Sequence, residues 1–290
     1  MNVFAGPMMA ADTESTGVDV ENDRIVTATT ALIRPGQPPA VAAHLIAVDV
    51  DIPQAATDVH GITTEHARAN GQPAVKVLDQ VAADLAAAML DGIPVVGCNL
   101  AFDLTLLDRE LRRHNLPTLP DRLGRDIGPC IDVFVLDKAV DRYRPGRRQL
   151  TALCEHYGVR LDGAHDATAD ALGAARVAWR IGQLGAGDPD VLFSRYAHRP
   201  RQAPHIVRGL ARVARMSLDE LHAFQQAAYR EQAPGLAAHF RRKAAEIEHE
   251  AAATGEDGIR AAAAEEAEEL RRRADDVSGE WPMRPWMEAA

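Results

Sequence analysis

The residues best placed to do chemistry stand in the stretch Asp12-Thr13-Glu14-Ser15-Thr16-Gly17. Two acids lie two residues apart at the end of a short apolar run, Met8 to Ala11, and a glycine turn follows. If that run is a strand, alternate side chains share a face, so Asp12 and Glu14 point the same way. Two carboxylates on one face repel each other unless something neutralises them. A divalent cation, which prefers oxygen ligands, would do so. Taken alone, the pair reads equally well as the end of a strand opening a solvated turn. Further along, Asp103 opens a helical pattern, where an acid is an ordinary cap. Asp170 sits one turn into a later helix, where an acid complements the helix dipole. His165 lies in the loop five residues ahead of Asp170. A lone loop histidine is usually a solvated side chain, so each of these gains weight only from the others.

The elements that must position them read as follows. Met8 to Glu14, Arg24 to Ile33 and His44 to Val48 have strand composition and predict an antiparallel meander, with a turn at Pro35-Gly36-Gln37-Pro38-Pro39. Residues 58–63 read as a loop, and Thr64 opens a short helix through Ala69. Val75, Leu78, Val81, Ala82, Leu85 and Met89 recur at helical spacing. Ile93 to Cys98 is a buried-type strand. A helix carrying Leu104, Leu107 and Leu111 follows, with Arg112 and Arg113 at its C-terminal end as the dipole favours. Cys130 to Asp132 is a short last strand. Val133 to Val140, Gln149 to Tyr157 and the Ala-rich stretch Ala167 to Leu184 are helical. Antiparallel strands followed by strands alternating with helices predict a mixed α/β sheet flanked by helices.

Past Gly185 the composition shifts to Ala, Glu, Arg and Gln. Ser217-Leu218-Asp219-Glu220 is a capping box, and Pro234-Gly235 should kink or break the helix it opens. Leu236, Phe240 and Ile247, then Ile259, Ala263, Leu270 and Val277, make only thin apolar stripes. Residues 187–290 are therefore expected to form a helical extension that packs as a hairpin or against a partner. Trp281 to Trp286 reads as a loose tail more than a docking segment.

Composition bounds the function. The chain has 290 residues, 47% of them hydrophobic but only 4% aromatic, so the core must be mostly Ala, Val, Leu and Ile. A formal net charge of −10 argues against a broad basic duplex-binding surface. It leaves room for a nucleic-acid enzyme whose bound metals supply positive charge locally. Cys98, Cys130 and Cys154 form no CxxC pair, which disfavours a zinc site or a disulfide framework and fits a reducing compartment. Residues 1–11 lack the pattern of a signal peptide, and no apolar run is long enough to span a bilayer. The expectation is a soluble cytoplasmic protein with no membrane partner. Neither an HExxH motif nor a P-loop is present, which removes support for a zinc hydrolase or a nucleotide-driven motor.

Taken in order, the motifs are Asp12-Thr13-Glu14, Asn99-Leu100-Ala101-Phe102-Asp103 and His165-Asp166-Ala167-Thr168-Ala169-Asp170. This order resembles the DEDDh 3′→5′ exonucleases, the DnaQ-like group that includes the proofreading epsilon subunit of DNA polymerase III, RNase T and oligoribonuclease. His60-Gly61-Ile62-Thr63 matches a turn common among epsilon-like members, and Leu136 to Val159 is similar to theirs. The resemblance covers about residues 6–184 and nothing past Gly187. Ser15 stands where the family more often has Thr, and the first strand is short.

The resemblance implies an RNase H-like, mixed five-stranded sheet flanked by helices, in an exonuclease domain over 1–186 that the helical extension read from composition follows over 187–290. It implies two divalent ions, Mg²⁺ or Mn²⁺, about 4 Å apart. Asp12 would bridge them, Glu14 and Asp170 would complete one site, and Asp103 would act on the other through water. His165 would take the proton from the attacking water, since an imidazole is a competent base at neutral pH. A tyrosine-type site would have Tyr where Asp166 stands. Ser15, Thr16, Gly17, Val18, His60, Asn99 and Phe102 would meet the substrate. Val18 and Phe102 would make sequence-tolerant contacts with the last bases. Arg142, Arg144, Arg147 and Arg148 read equally as a phosphate-tracking rim or a solvated turn. The expected activity is release of nucleoside 5′-monophosphates from single-stranded DNA 3′ ends. A 3′→5′ exoribonuclease on short RNA is an alternative, and so is a weakly active scaffold that recruits partners. The extension would bind a DNA polymerase or mediate self-association.

Overall fold

The computed structural model describes residues 2–161, 166–254, 257–275 and 277–286. Packing divides the chain into two units, Met1–Gln225 and Gln226–Ala290. The first is built on a mixed sheet. β1 (Met8–Ser15), β2 (Ile25–Ile33) and β3 (Ala40–Ala47) form the expected antiparallel meander. β4 (Gln72–Pro73) joins the outer edge of β3, while β5 (Val95–Gly97) and β6 (Cys130–Asp132) add in parallel beyond β1. The order is β4-β3-β2-β1-β5-β6. Among the described residues the sheet thus has one strand more than the five expected, and two residues at an edge leave no periodic signal to read.

The helices of this unit are α1 (Gln54–His60), α2 (Thr64–Asn70), α3 (Ala74–Leu90), α4 (Leu100–Arg113), α5 (Leu119–Leu123), α6 (Val133–Val140), α7 (Leu150–Tyr157), α8 (Ala167–Ala186), α9 (Pro189–Arg195) and α10 (Ala203–Val213). Residues 58–60, expected in a loop, are the last turn of α1. Gln54, Ala55 and Ala56 start that helix after Pro53, and Gly61 at φ 76° stops it in the left-handed region that glycine enters freely.

β1 is central, with a strand on each side, so Met8–Ala11 are fully buried. From Asp12 onward the strand emerges into partial exposure. That transition places the acids at the end of the strand and not in the core. Ala171, Ala174, Ala175 and Ala178 let α8 lie close against the sheet, which is how a chain poor in aromatics fills its interior.

The expected division after residue 186 does not coincide with the edge of the packed unit, which lies at Gln225. Leu192 and Tyr196 of the α9 segment and Ile206, Val207, Leu210 and Val213 of α10 share one core with β1 and α8. The apolar face of α10 is a broad stripe at helical spacing, not a thin one.

The arginine cluster is resolved in favour of structure at two of its four positions. Asp137 is fully buried and accepts Arg144 Nε at 3.1 and 3.2 Å, Tyr157 Oη at 3.0 Å, and Arg148. Arg144 and Arg148 therefore fasten α6 to the turn before α7 and are not spread along a rim.

α11 (Leu218–Thr254) begins in the first unit and continues into the second, followed by α12 (Asp257–Asp275). Pro234 lies inside α11 without ending it. The carbonyl that proline cannot bond belongs to Arg230, an exposed residue. Within the second unit, Ala244, Ala267 and Leu270 pack with Phe240 and Ile247, and Arg271 pairs with Glu248 at 2.5 Å. Trp281, expected in a loose tail, is buried, and its carbonyl accepts Gln226 Nε2 at 3.4 Å. Among the described residues no helix is long and apolar enough to cross a membrane.

Candidate active site

Asp12 pairs across the ladder with Thr29, and Glu14 with Thr27, so the two carboxylates share one face. A β-bulge after Glu14 then turns the chain away. Asp170 reaches the same point from α8. The start of that helix is fixed by Asp166, whose Oδ1 accepts Thr168 N at 3.0 Å and Ala169 N at 2.9 Å. Carboxylate oxygens of Asp12, Glu14 and Asp170 lie within 4.8 Å of one another.

Asp103 stands beside this cluster in the first turn of α4. Its Oδ1 accepts the Thr13 backbone N at 3.1 Å and the Thr13 hydroxyl at 2.7 Å. The turn before α4 carries Asn99 at φ 70°, exposed, with Phe102 N donating to Asn99 O at 2.9 Å and Phe102 half-buried.

The electrostatics follow from crowding acids in a partly dry place. Burial pushes the Asp12 carboxyl well above its usual range, and Asp103, Asp170 and Glu14 push it the same way. Glu14 is raised to about 7 by burial, then by Asp170 and Asp103. Burial raises Asp103 to about 7 against the pull of the Thr13 hydrogen bonds. Such a cluster resists ionising until a cation joins it. Hard oxygen donors converging within one ion's reach fit Mg²⁺ or Mn²⁺ and do not fit a soft metal.

The turn after β1 is organised from within. Ser15 Oγ donates to Gly17 O at 2.6 Å. Thr16 is buried; its hydroxyl donates to Asp23 Oδ1 at 2.7 Å and accepts Arg24 N at 2.9 Å. Asp23 Oδ2 accepts Asp19 N at 2.8 Å. A Cβ at Gly17 would lie 2.5 Å from the Asp23 carboxylate, so a larger residue there would displace that carboxylate from its bonds to Thr16 and Asp19. Val18 is displayed outward, 63% exposed. His60 ends α1 with Nδ1 accepting Ile62 N at 3.1 Å. Burial holds its imidazole below the usual value, partly offset by the adjoining Ser15 backbone.

The structure therefore gathers Asp12, Glu14, Asp103 and Asp170, and sets His60 against the start of the Ser15–Val18 turn. Thr16 and the Ser15 hydroxyl are spent inside that turn. His165 falls in 162–165, outside the described residues. Asp132, Asp23 and Thr13 also shape the site, beyond the residues expected from the motifs. Asp132 carries a legible signal, an acid directly before the apolar helical run Val133–Val140. Asp23 and Thr13 carry none, since their partners are set by the folded turn.

Sheet order, motif order and carboxylate clustering together define an RNase H-like fold with an acidic centre at the end of β1. Residues 9–178 match the RNase_T family, described as Exonuclease, and the chain belongs to that family. Its motif order places it with the DnaQ-like 3′→5′ exonucleases. Among solved structures, it is similar to Escherichia coli exonuclease I in complex with a dT13 oligonucleotide, at 17% identity over 69% of this chain and 45% of that one, with a TM-score of 0.50. The exonuclease I of Methylocaldum szegediense matches at 19% identity over 68% and 42%, also with a TM-score of 0.50. A product-bound exonuclease I matches at 14% identity over 69% and 45%, with a TM-score of 0.51. The chain spans less than half the length of these exonuclease I chains. No curated protein sequence gives a significant match.

Proposed function

We propose that the protein is a metal-dependent 3′→5′ exonuclease that hydrolyses single-stranded DNA ends to nucleoside 5′-monophosphates. The observation that carries this is the convergence of Asp12, Glu14 and Asp170 within 4.8 Å at the end of β1, in a chain of the exonuclease family. The similar exonuclease I solved with a dT13 oligonucleotide favours DNA over RNA. Asp12, Glu14 and Asp170 would hold the ions, with Asp103 beside them. Bound Mg²⁺ or Mn²⁺, two ions by the family pattern, supplies Lewis acidity and an acidified water.

The chain's own groups do the rest. Thr13 keeps Asp103 ionisable and fixed, and the Asp166 cap fixes Asp170. By its place in the third motif, His165 takes the proton from the attacking water. The Ser15–Val18 turn presents Val18 to the terminal nucleotide, an apolar contact that suits any base. By the same resemblance, Asn99, Phe102 and His60 would also meet the substrate. In this reading the exonuclease domain expected over 1–186 takes in α9, α10 and the start of α11 as well, and residues 226–290 serve partner binding, with a polymerase or a second copy as occupant.

The test uses the full chain, a 5′-labelled single-stranded DNA oligonucleotide and a matched RNA, with Mg²⁺ or Mn²⁺ and with EDTA. A 3′-shortening ladder on DNA that EDTA stops is the expected result. A faster ladder on RNA would reassign the substrate. No ladder on either, from folded protein at saturating metal, would overturn the enzyme reading.

A further inference from the structure

Among the described residues β6 is the last strand of the sheet, with no strand on its outer side. Edge N–H and C=O groups still need partners when they are buried. The first turns of α11 supply them. Cys130 N donates to His222 Nδ1 at 3.2 Å, Asp132 N donates to Gln225 Oε1 at 2.7 Å, and Gln225 Nε2 donates to Cys130 O at 2.9 Å. Gln225 is fully buried. Its amide offers one acceptor and one donor along β6, as a neighbouring strand would.

Held from that side, Asp132 turns its carboxylate the other way. Oδ1 accepts Asn99 N at 2.9 Å and Phe134 N at 3.0 Å, and Oδ2 accepts Leu100 N at 3.0 Å. The Phe134 bond is an ordinary cap for α6 and needs one oxygen only. The second oxygen is directed at the chain that enters α4. There Asn99 is held at φ 70°, a conformation that non-glycine residues adopt only where neighbours enforce it. A carboxylate that is fully buried is tolerated because backbone donors surround it. The turn it grips leads within four residues to Asp103.

We infer that Asp132, fixed from behind by Gln225, is a positioning residue: it sets the Asn99–Phe102 turn and, through it, the Asp103 carboxylate beside the metal-binding acids. The inference rests on the exonuclease reading for its kinetic arm and on geometry alone for its binding arm. It also gives the start of α11 a catalytic purpose, although that segment lies beyond the residues matched by the family.

The experiment uses Asp132→Asn, Asp132→Ser and Gln225→Leu in the full chain. Asn keeps one acceptor but turns an NH₂ toward one of the donors Asp132 served. Ser preserves an α6 cap yet is too short to grip the Asn99–Leu100 turn. Mn²⁺ affinity is read by titration calorimetry, kcat and KM on the labelled oligonucleotide, and Tm by thermal unfolding. Supporting groups around metal ligands typically alter affinity or activity by about 10-fold to 100-fold. Both Asp132 variants should weaken Mn²⁺ binding and lower kcat in that range, with KM within about twofold. Gln225→Leu should move both in the same direction by less. Asp141→Asn, which breaks the Asp141–Arg199 pair elsewhere in the unit, should lower Tm while leaving kcat and Mn²⁺ affinity unchanged.

Unchanged Mn²⁺ affinity and kcat in a folded Asp132→Ser protein would overturn the inference. Equal losses in Asp141→Asn at equal Tm would overturn it too. If neither Asp132 variant folds, Gln225→Leu decides on the same readouts. If the unaltered protein shows no exonuclease activity, the functional reading falls, and the Mn²⁺ titration alone decides the positioning role.

Discussion

Thr13 and Asp103 are joined twice although ninety positions separate them in sequence. The Thr13 N–H donates at 3.1 Å and its hydroxyl at 2.7 Å, both to Oδ1 of Asp103. The strand that carries the first acidic motif thereby fixes the carboxylate of the second. Thr13 points away from the face that Asp12 and Glu14 share, so it serves the centre without entering it.

Thr13→Val keeps the shape of the side chain and removes the hydroxyl. Asp103, already raised to about 7 by burial, loses one of the bonds that hold it down. Its carboxylate form becomes scarcer at neutral pH. A hydrogen bond to a charged group is worth roughly 1.5–3 kcal/mol, so Mn²⁺ affinity should fall about tenfold at pH 7. The loss should be larger at pH 6 than at pH 8. A variant with unchanged affinity at every pH would show that the hydroxyl is ornamental.

The metal-free protein should become less stable as pH rises. Glu14 has an ordinary value of 4.5 and a folded value of about 7, and Asp12 moves in the same direction. Between those values the folded chain binds more protons than the unfolded chain, so stability falls with pH. It is greatest below about 4.5 as far as Glu14 is concerned and is lost by the time pH passes 7. In EDTA, Tm should drop from pH 5 to pH 7.5, and Glu14→Gln should flatten that drop. A Glu14→Gln protein with the unaltered pH profile would count against the crowding described above.

His165→Ala tests a residue whose role comes from motif spacing alone. General-base catalysis typically contributes about 10²–10⁴-fold, so kcat should fall by that factor with Mn²⁺ affinity within about twofold. The limb of the pH–rate profile that follows the imidazole should disappear with it. An unchanged rate would mean that another group takes the proton.

Asp137 is expected to matter for folding and not for substrate. It is fully buried, bonded to Arg144, Arg148 and Tyr157. Removing one partner of a buried ion pair costs about 3–5 kcal/mol. Urea unfolding of Asp137→Ala should show a loss of that order, and the salt dependence of oligonucleotide affinity should be unchanged in a folded sample. A flattened salt dependence would return Arg144 and Arg148 to a phosphate-binding role.

Where the sequence was legible, the reason is local composition and helical periodicity. β1 and β2 are apolar or β-branched runs bounded by turn residues, α3 and α4 carry period-3.6 patterns, α8 is an Ala-rich run, and the four acids sit at the ends of β1, α4 and α8, so fold and carboxylate cluster could both be anticipated. β4 is too short for a pattern. The broad face of α10 was masked by the polar composition around it. Arg144 and Arg148 looked like surface charge because their partner, Asp137, sits in an earlier helix that the eye reads as apolar. Asp132 and Gln225 were invisible as a pair, because 93 positions separate them and only the folded edge of the sheet brings them together.

The most direct test of the acidic centre is Asp12→Ala. The residue stands where β1 leaves the core, so its loss should spare the fold, checked by circular dichroism and Tm. With 5′-labelled single-stranded DNA at saturating Mn²⁺, the expected result is no 3′ shortening beyond the control lacking protein. A folded Asp12→Ala protein that still produced a ladder at a tenth of the normal rate or faster would contradict the assignment of these carboxylates to catalysis.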